Sequence, residues 1–346
     1  MKQNSGGGNK TIIVYIAVAI TLLLLFFANI LAGPVKIPLK EALSILFGKL
    51  STQQSWNQIV LTSRLPQAVT ALLGGASLAV SGLLLQTFFK NPLAGPSILG
   101  ISDGANLGVA LAMLYISTTS YLTTIAAAFI GAAVVLAIII WFSHKVRNNV
   151  MLLIIGIMVG YLASSVISIL NFNASADKVH QYVMWGMGDF GSVSNDKLPW
   201  FVSFTVVGLV AALLLVKPLN ALLLGESYAS NLGINVRAAR LAILLVTGIL
   251  TATVTAFCGP ISFIGLAVPH IARLALGSSN HRNLLPVTLL VGSFIALLCN
   301  LLSNLSTVGG PLPLNAMTSI VGAPVIIYVI MNRKNMGYFN YSFKGK

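Results

Sequence analysis

The chain has 346 residues, of which 57% are hydrophobic and 8% charged, and its formal net charge is +14. A soluble domain carries about 25% charged residues; a chain this poor in charge cannot cover a water-facing surface, and its apolar content excludes intrinsic disorder. Six acidic residues leave little for carboxylate-pair catalysis or a hard-metal site, so the composition describes an all-α, polytopic membrane protein.

In chain order, ten stretches approach the roughly 20 apolar residues that a membrane-spanning helix needs. They are 11–31, 65–87, 97–115, 122–142, 150–171, 199–216, 238–257, 260–276, 284–305 and 314–331. The third and eighth are interrupted by Gly, Ser, Asp and Pro. Irregular backbone at membrane depth is tolerated only against protein or a water-filled cavity. These two stretches, with the loop at 91–96, are therefore expected inside the bundle. Lys2 and Lys10 precede the first stretch, as in a signal peptide, but its apolar run from Thr11 to Ala32 exceeds the roughly 7–15 residues of such a core. A retained helix is expected. The organisation that follows is a tail at 1–10, one ten-helix transmembrane domain at 11–332 and a tail at 333–346.

Two segments between spans are long. Residues 35–58 begin with Leu39, Leu43, Leu46 and Phe47 interleaved with Lys36, Lys40 and Lys49, the pattern of a helix lying on the membrane surface. Residues 173–198 hold Asp177, Asp189 and Asp196 among glycines and read as a loop beside a pore mouth or a docking surface. With ten spans both termini share one side. Placing them inside puts fourteen basic residues in the inner segments and six, Lys36, Lys40, Lys49, Arg64, Lys178 and Lys197, outside, as the positive-inside rule requires. The first helix taken alone argues for the reverse; the sum decides. Topology thus accounts for the charge, and no nucleic-acid partner is needed. Cys258 and Cys299 both lie in apolar runs and define no disulfide framework.

Several stretches are more specific than composition. Arg64-Leu65-Pro66 is followed by Gly74-Gly75-Ala76-Ser77, Gly82 and Gln86, then Asn91-Pro92-Leu93-Ala94 and Gly100-Ile101-Ser102-Asp103-Gly104. Trp185-Gly186-Met187-Gly188 lies in the second long segment. Gly225-Glu226 leads to Ala229 and Leu232-Gly233. Gly265-Leu266-Ala267-Val268-Pro269-His270 leads to Arg273 and His281-Arg282, and Leu312-Pro313 leads to Thr318 and Gly322-Ala323-Pro324. Together, in this order and over residues 12–332, these resemble the FecCD family of ABC importer permeases. The resemblance implies the type II importer architecture of ten helices per subunit and a multi-pass protein of the bacterial inner (plasma) membrane with both termini cytoplasmic. It implies as partners a second permease subunit, two ATPase subunits inside, a substrate-binding protein outside and the surrounding lipid. The implied cargo is an iron–siderophore complex, haem or cobalamin, with no cofactor held by the permease.

The residues support roles of their own. Small residues such as Gly74, Gly75 and Gly82 suit close helix packing in a membrane, as they would in any polytopic bundle. Pro92 ends the second helix; the resemblance implies that Asn91, Pro92 and Leu93 gate the inner mouth, although a plain interhelical turn would look the same. Glu226 to Leu232 fit two short helical turns with Glu226 at the positive end of the dipole, Ala229 keeping one face flat, Leu232 as an apolar knob and Gly233 in a left-handed cap. In the family such a stub docks on the ATPase. Asp103 is the acidic residue closest to a span, and intramembrane carboxylates are functional suspects; it is assigned to the path or gate, with a place at the inner interface as the alternative. Arg64 heads the second span on the outer side and, with Lys178 and Lys197, is expected to meet acidic residues of the binding protein. Gln67 and Asn304 stand where the family often has basic residues, which weakens that docking. His270 has no second His at i+4 and no Cys or Glu nearby in sequence, so it is read as structural and no metal site is expected.

Gly6-Gly7-Gly8-Asn9-Lys10-Thr11 lacks the Gly before Lys of a phosphate loop and precedes a membrane helix. Energy must therefore come from a partner chain, and the protein is not read as an enzyme. A secondary transporter driven by protons or sodium is the alternative; it would want ionisable residues at mid-membrane, and apart from Asp103 the spans lack them.

Overall fold

A computed structural model describes residues 6–49, 51, 53–116, 120–146, 149–305 and 310–331. Among them there is no strand; the fold is all-α. In chain order the helices are α1 (Gly6–Leu31), α2 (Leu39–Leu46), α3 (Gln54–Gln58), α4 (Leu65–Phe89), α5 (Ile101–Ala110), α6 (Tyr121–Lys145), α7 (Asn149–Asn173), α8 (Ala176–Gly186), α9 (Leu198–Leu214), α10 (Val216–Leu224), α11 (Glu226–Asn231), α12 (Val236–Cys258), α13 (Ile264–Leu276), α14 (His281–Asn304) and α15 (Leu314–Met331). Each of the ten expected spans coincides with a helix. By length and hydropathy six described helices can cross a membrane, and α9 with α10, bent by 47°, make a seventh. The expected spans at 97–115, 260–276 and 314–331 are shorter helices.

α4 is the centre of the bundle. Its residues from Gly74 to Phe89 are all buried. The run Gly74-Gly75-Ala76-Ser77-Leu78-Ala79 explains why: without Cβ atoms at Gly75 and Gly82, neighbouring backbones come into direct contact. A Cβ at Gly75 would strike the Gly292 carbonyl of α14, and one at Gly82 would strike the Gly265 carbonyl of α13. Such close approach is what associates helices where lipid offers no hydrophobic gain. α14 runs antiparallel to α4, with Ser293 Oγ donating to the Leu72 carbonyl and His281 meeting Thr87. α12 covers another side of α4, and α1, α6 and α7 lie at the periphery, mostly exposed.

Two helices begin inside the bundle. α4 ends at Lys90, whose φ of 48° is left-handed, and Asn91 N–H closes on the Gln86 carbonyl. The chain then turns back along the bundle. A short 3₁₀ turn, Pro96–Leu99, lies beside Leu78 and Gly265, around a cavity of about 200 Å³ that also takes in Ser102, Ser262 and Phe263. α5 therefore starts opposite the middle of α4 and continues as a π-helical turn, Leu111–Tyr115. α13 starts at the same cavity, after Phe263 at φ 66°. The interrupted third and eighth stretches of the sequence are these two helices, and they lie inside as expected.

One expectation needs correction. Residues 173–198 are not a loop: α8 fills the first half. Asp177 sits in its first turn, favourable for the dipole, and Tyr182 and Trp185 stack at 6.3 Å, both half-buried against the core. The glycines Gly188 and Gly191 follow the helix rather than interrupt it. In the 35–58 segment the expected helix forms; Ala42 and Ile45 face the core, and apolar Leu39 and Phe47 are left 59% and 81% exposed. The helical backbone of α1 begins at Gly6, ahead of its apolar span Ile12–Leu31; the tail at 333–346 lies outside the described residues.

Gly82→Ala should be among the most damaging single methyl additions in the chain. Overpacking of this kind costs roughly 1–3 kcal/mol or more. The melting temperature in detergent is expected to fall by several degrees, whereas Gly186→Ala, where nothing lies within 4 Å of the added carbon, should leave it unchanged. Equal melting temperatures for the two variants would refute the contact.

Candidate functional site

One end of the bundle carries α11. Its short helix ends in a Schellman motif: Gly233 N–H donates to Ser230 O at 2.9 Å and Ile234 N–H to Ala229 O at 3.0 Å. Gly233 has φ 79°, which only glycine adopts freely. Gly225, at φ 119°, opens the helix and turns the chain out of α10. Ala229 is fully buried, so the flat face expected from the sequence is turned toward the protein. Tyr228 and Leu232 are 51% and 58% exposed and form the outward apolar surface. Glu226 does more than face the dipole. Its Oε1 accepts from Arg240 Nη2 at 2.6 Å, and the Arg240 guanidinium lies over the Phe88 ring in the last turn of α4. An exposed pair like this contributes less than about 1 kcal/mol, so its effect is to position α11 against α12 and α4.

The same end holds the loop at 90–95. Asn91 Oδ1 accepts from Leu93 N–H at 2.9 Å and Ala94 N–H closes on Asn91 O, the local turn that Asn favours. His270 Nε2–H donates to the Pro92 carbonyl at 2.8 Å and so fastens the loop to α13. Leu93 is 41% exposed. Behind the loop, buried Arg273 donates to Gln86 Oε1 at 2.6 Å and Gln86 Nε2 donates to Leu266 O. Asn91, Pro92 and Leu93 thus come together with α13 and the last turn of α4, while Asp103 lies apart in the first turn of α5. Its carboxylate sits over Gly160, near the middle of α7. It is also close enough to α8 to reinforce the effect of burial on Tyr182, whose hydroxyl is pushed up to about 12.

The opposite end carries α2 and α8 and opens as a cavity of about 780 Å³ bounded by Arg64, Gln67, Trp185, Asp189, Asn300 and Leu312, among others. Amides line one wall: Asn300 Nδ2 donates to Asn29 Oδ1, Gln67 Nε2 to Asn300 Oδ1 and Asn29 Nδ2 to Leu297 O. Arg64 differs from its expected place on the rim. It is 5% exposed, and its guanidinium donates to the carbonyls of Ile30 and Leu31 at the end of α1 and of Val35 in the segment that follows. The end of α1 is the negative end of a helix dipole, and it draws Arg64 inward. Lys197 is half-buried with its ammonium 3.8 Å from the centre of the Tyr121 ring, and Lys178 is half-buried on α8. Among the described residues no group of three His, Cys, Asp or Glu could hold a metal ion.

Sequence reasoning passed over Tyr228, Arg240 and Asn220. It also passed over the half of α7 that leads to α8. There Tyr161, Ser164, Ser168 and Asn171 recur at helical spacing; the first three are exposed and Asn171 is half-buried. Ser168 Oγ donates to Ser164 O, so the hydroxyl is satisfied within the helix. The signal was present as a polar period of three and four inside an apolar span.

The model of the FecCD transport family matches residues 21–332. The hemin transport system permease protein HmuU of Yersinia pestis is 34% identical over 301 residues, which are 85% of this chain and 90% of the relative. The vitamin B12 import system permease protein BtuC of Salmonella paratyphi A is 33% identical over 273 residues, 78% of this chain and 82% of the relative. A metal-chelate type ABC transporter solved in an inward-facing conformation superposes with a TM-score of 0.80 at 29% identity, covering 93% of this chain and 99% of that one. With its bundle of apolar helices, the chain is a multi-pass membrane protein, and it belongs to the FecCD transport family.

Proposed function

We propose that the chain is the membrane permease of an ABC importer that carries a metal chelate, an iron–siderophore complex, haem or cobalamin, across the bacterial plasma membrane. The observation that carries this reading is the α11 stub: a rigidly capped helix whose buried Ala229 seats it and whose Tyr228 and Leu232 face outward, beside relatives that import haem and vitamin B12. In this reading α11 and both termini are cytoplasmic, and two ATPase subunits seat on the stubs of two permease copies. The polar outer half of α7 then lines a path between the copies, since a face with Ser164 and Ser168 gains nothing from lipid. Asp103 faces that path at mid-depth. The loop at 90–95 closes it inside, and the binding protein docks around the cavity at the other end, with Lys178 and Lys197 as its basic contacts. Nothing in this mechanism transforms the cargo.

In cells deleted for this chain, uptake of one labelled cargo among ferric siderophores, haem and cobalamin should be lost and restored by the intact gene. Leu232→Glu should insert normally yet restore less than about a tenth of it, the scale of a central interface residue. Asp103→Asn should lower uptake several-fold; wild-type uptake would remove Asp103 from the path. An ion-coupled carrier instead expects Leu232→Glu to transport normally. Unchanged uptake of all three cargoes in the deletion strain, with no redundant system, would overturn the chelate reading.

The two kinds of basic residue at the outer end should separate cleanly. Arg64→Gln strands buried carbonyls at the end of α1, at a cost of roughly 1–3 kcal/mol, and should lower the melting temperature. Replacing Lys178 and Lys197 together by Gln should instead slow association with the binding protein, most at low salt. Surface-binding kinetics at two ionic strengths read the second effect, and an unchanged on-rate would rule those lysines out as docking contacts.

A further inference from the structure

Beside the apolar contacts of Leu219, Leu222 and Ala229, the arm formed by α10 and α11 meets the core at a buried polar cluster that no role assigned above uses. His281, the first residue of α14, is 1% exposed. Its backbone N–H donates to Asn220 Oδ1 of α10 at 2.9 Å, and its Nδ1 lies 3.0 Å from the same oxygen. Asn220 Nδ2 donates in turn to Asn280 Oδ1, which caps α14 by accepting from Arg282 N–H. On the other side of the ring, Nε2 lies 2.8 Å from Thr87 Oγ1 in the last turn of α4.

The protons can be placed. The backbone donor fixes the Asn220 atom as oxygen, which only accepts, so Nδ1 carries the ring proton. Nε2 of the neutral ring then accepts, and the Thr87 hydroxyl supplies the proton. That hydroxyl has a second acceptor, the Leu83 carbonyl at 2.9 Å, but only one proton. If α10 draws His281 away, Thr87 turns back to its own helix and keeps a hydrogen bond. The contact can therefore open and close without stranding the buried hydroxyl, which is the property a two-state joint requires.

What the joint touches gives it direction. Gln86, next to Thr87, receives Arg273 and, through its carbonyl, Asn91 N–H; His270, one turn before Arg273, holds the Pro92 carbonyl. We propose that Asn220, His281 and Thr87 form a positioning latch that ties the α10–α11 arm to the last turn of α4 and, through Gln86, to the loop at 90–95. The latch rests on the reading of α11 as the ATPase seat. Its residues touch neither cargo nor nucleotide.

The test uses the full permease reconstituted in lipid with its cognate ATPase and binding protein. Two quantities are read: cargo moved per ATP hydrolysed, with labelled ferric siderophore, haem or cobalamin as the wild type dictates, and the line shape of a nitroxide at position 93 before and after ATP with vanadate. Thr87→Val deletes the hydroxyl at nearly constant volume and is expected to lower the cargo-to-ATP ratio about tenfold, the scale of one buried hydrogen bond, and to abolish the ATP-dependent change at position 93. Thr87→Ser, which keeps the hydroxyl, should restore both. His281→Ala combined with Thr87→Val should be no worse than the more impaired single variant, since one contact cannot be lost twice. A wild-type ratio and line-shape response in Thr87→Val would overturn the latch, as would transport and ATP hydrolysis falling in step with a lowered melting temperature. If the wild-type assembly itself moves none of the three cargoes and shows no ATP response, the permease reading fails first, and the latch with it.

Discussion

The structure depends on backbone-to-backbone contact between α4 and its neighbours. Gly82 faces the Gly265 carbonyl, and Gly75 faces that of Gly292. In water, side chains of ordinary size would hold such helices together by excluding solvent. In lipid that gain is absent, and contact area at short range has to supply the attraction. One consequence is that α13 and α14 cannot slide along α4 without driving a carbonyl into a Cα. The middle turns of the three helices are therefore a single block, and movement in this protein has to occur around it or at the helix ends.

The block also explains how two helices can begin at mid-depth. The segments before α5 and α13 have non-helical backbone, with Gly100 at φ 72° and Phe263 at φ 66°. Such backbone survives in a membrane only where protein surrounds it. Pro96 lies against Gly265, and Asn315 closes the other side, its side chain accepting from Ser262 N–H and donating to Pro260 O. Close packing at the centre thus shields irregular chain, and irregular chain is what can change shape when the block cannot.

Much of this was legible in the residues. Hydropathy located the helices, the broken third and eighth stretches announced helices that lie inside the bundle, and Gly233 announced its own cap. What escaped had a common cause: it was decided by a neighbour distant in sequence. The 173–198 segment looked like a loop because of its glycines, but Tyr182 and Trp185 find a surface on the bundle and α8 forms. Arg64 looked like a surface cation because nothing nearby in sequence could accept from it, whereas the exposed carbonyls at the end of α1 lie more than thirty positions away. Glu226 was read against its own helix dipole, and its partner Arg240 belongs to the next helix. The pattern on α7 was visible but had no meaning until the helix proved peripheral.

The treatment of charge links these observations. A chain with six acidic residues and 20 basic ones holds its buried guanidiniums, Arg64 and Arg273, without spending carboxylates on them. It uses neutral oxygens instead: three backbone carbonyls around Arg64 and the Gln86 amide oxygen for Arg273. Both sit at the ends of α4, where a helix end or an amide can accept without adding charge to the membrane interior. The acids are thereby left for other places, Glu226 on the arm that leaves the bundle, Asp189 folding the turn after α8, and Asp103 between α5 and α7. A carboxylate that no structural cation requires persists at mid-depth only against its desolvation cost, and this is the physical ground for the proposal that Asp103 serves the route of the cargo.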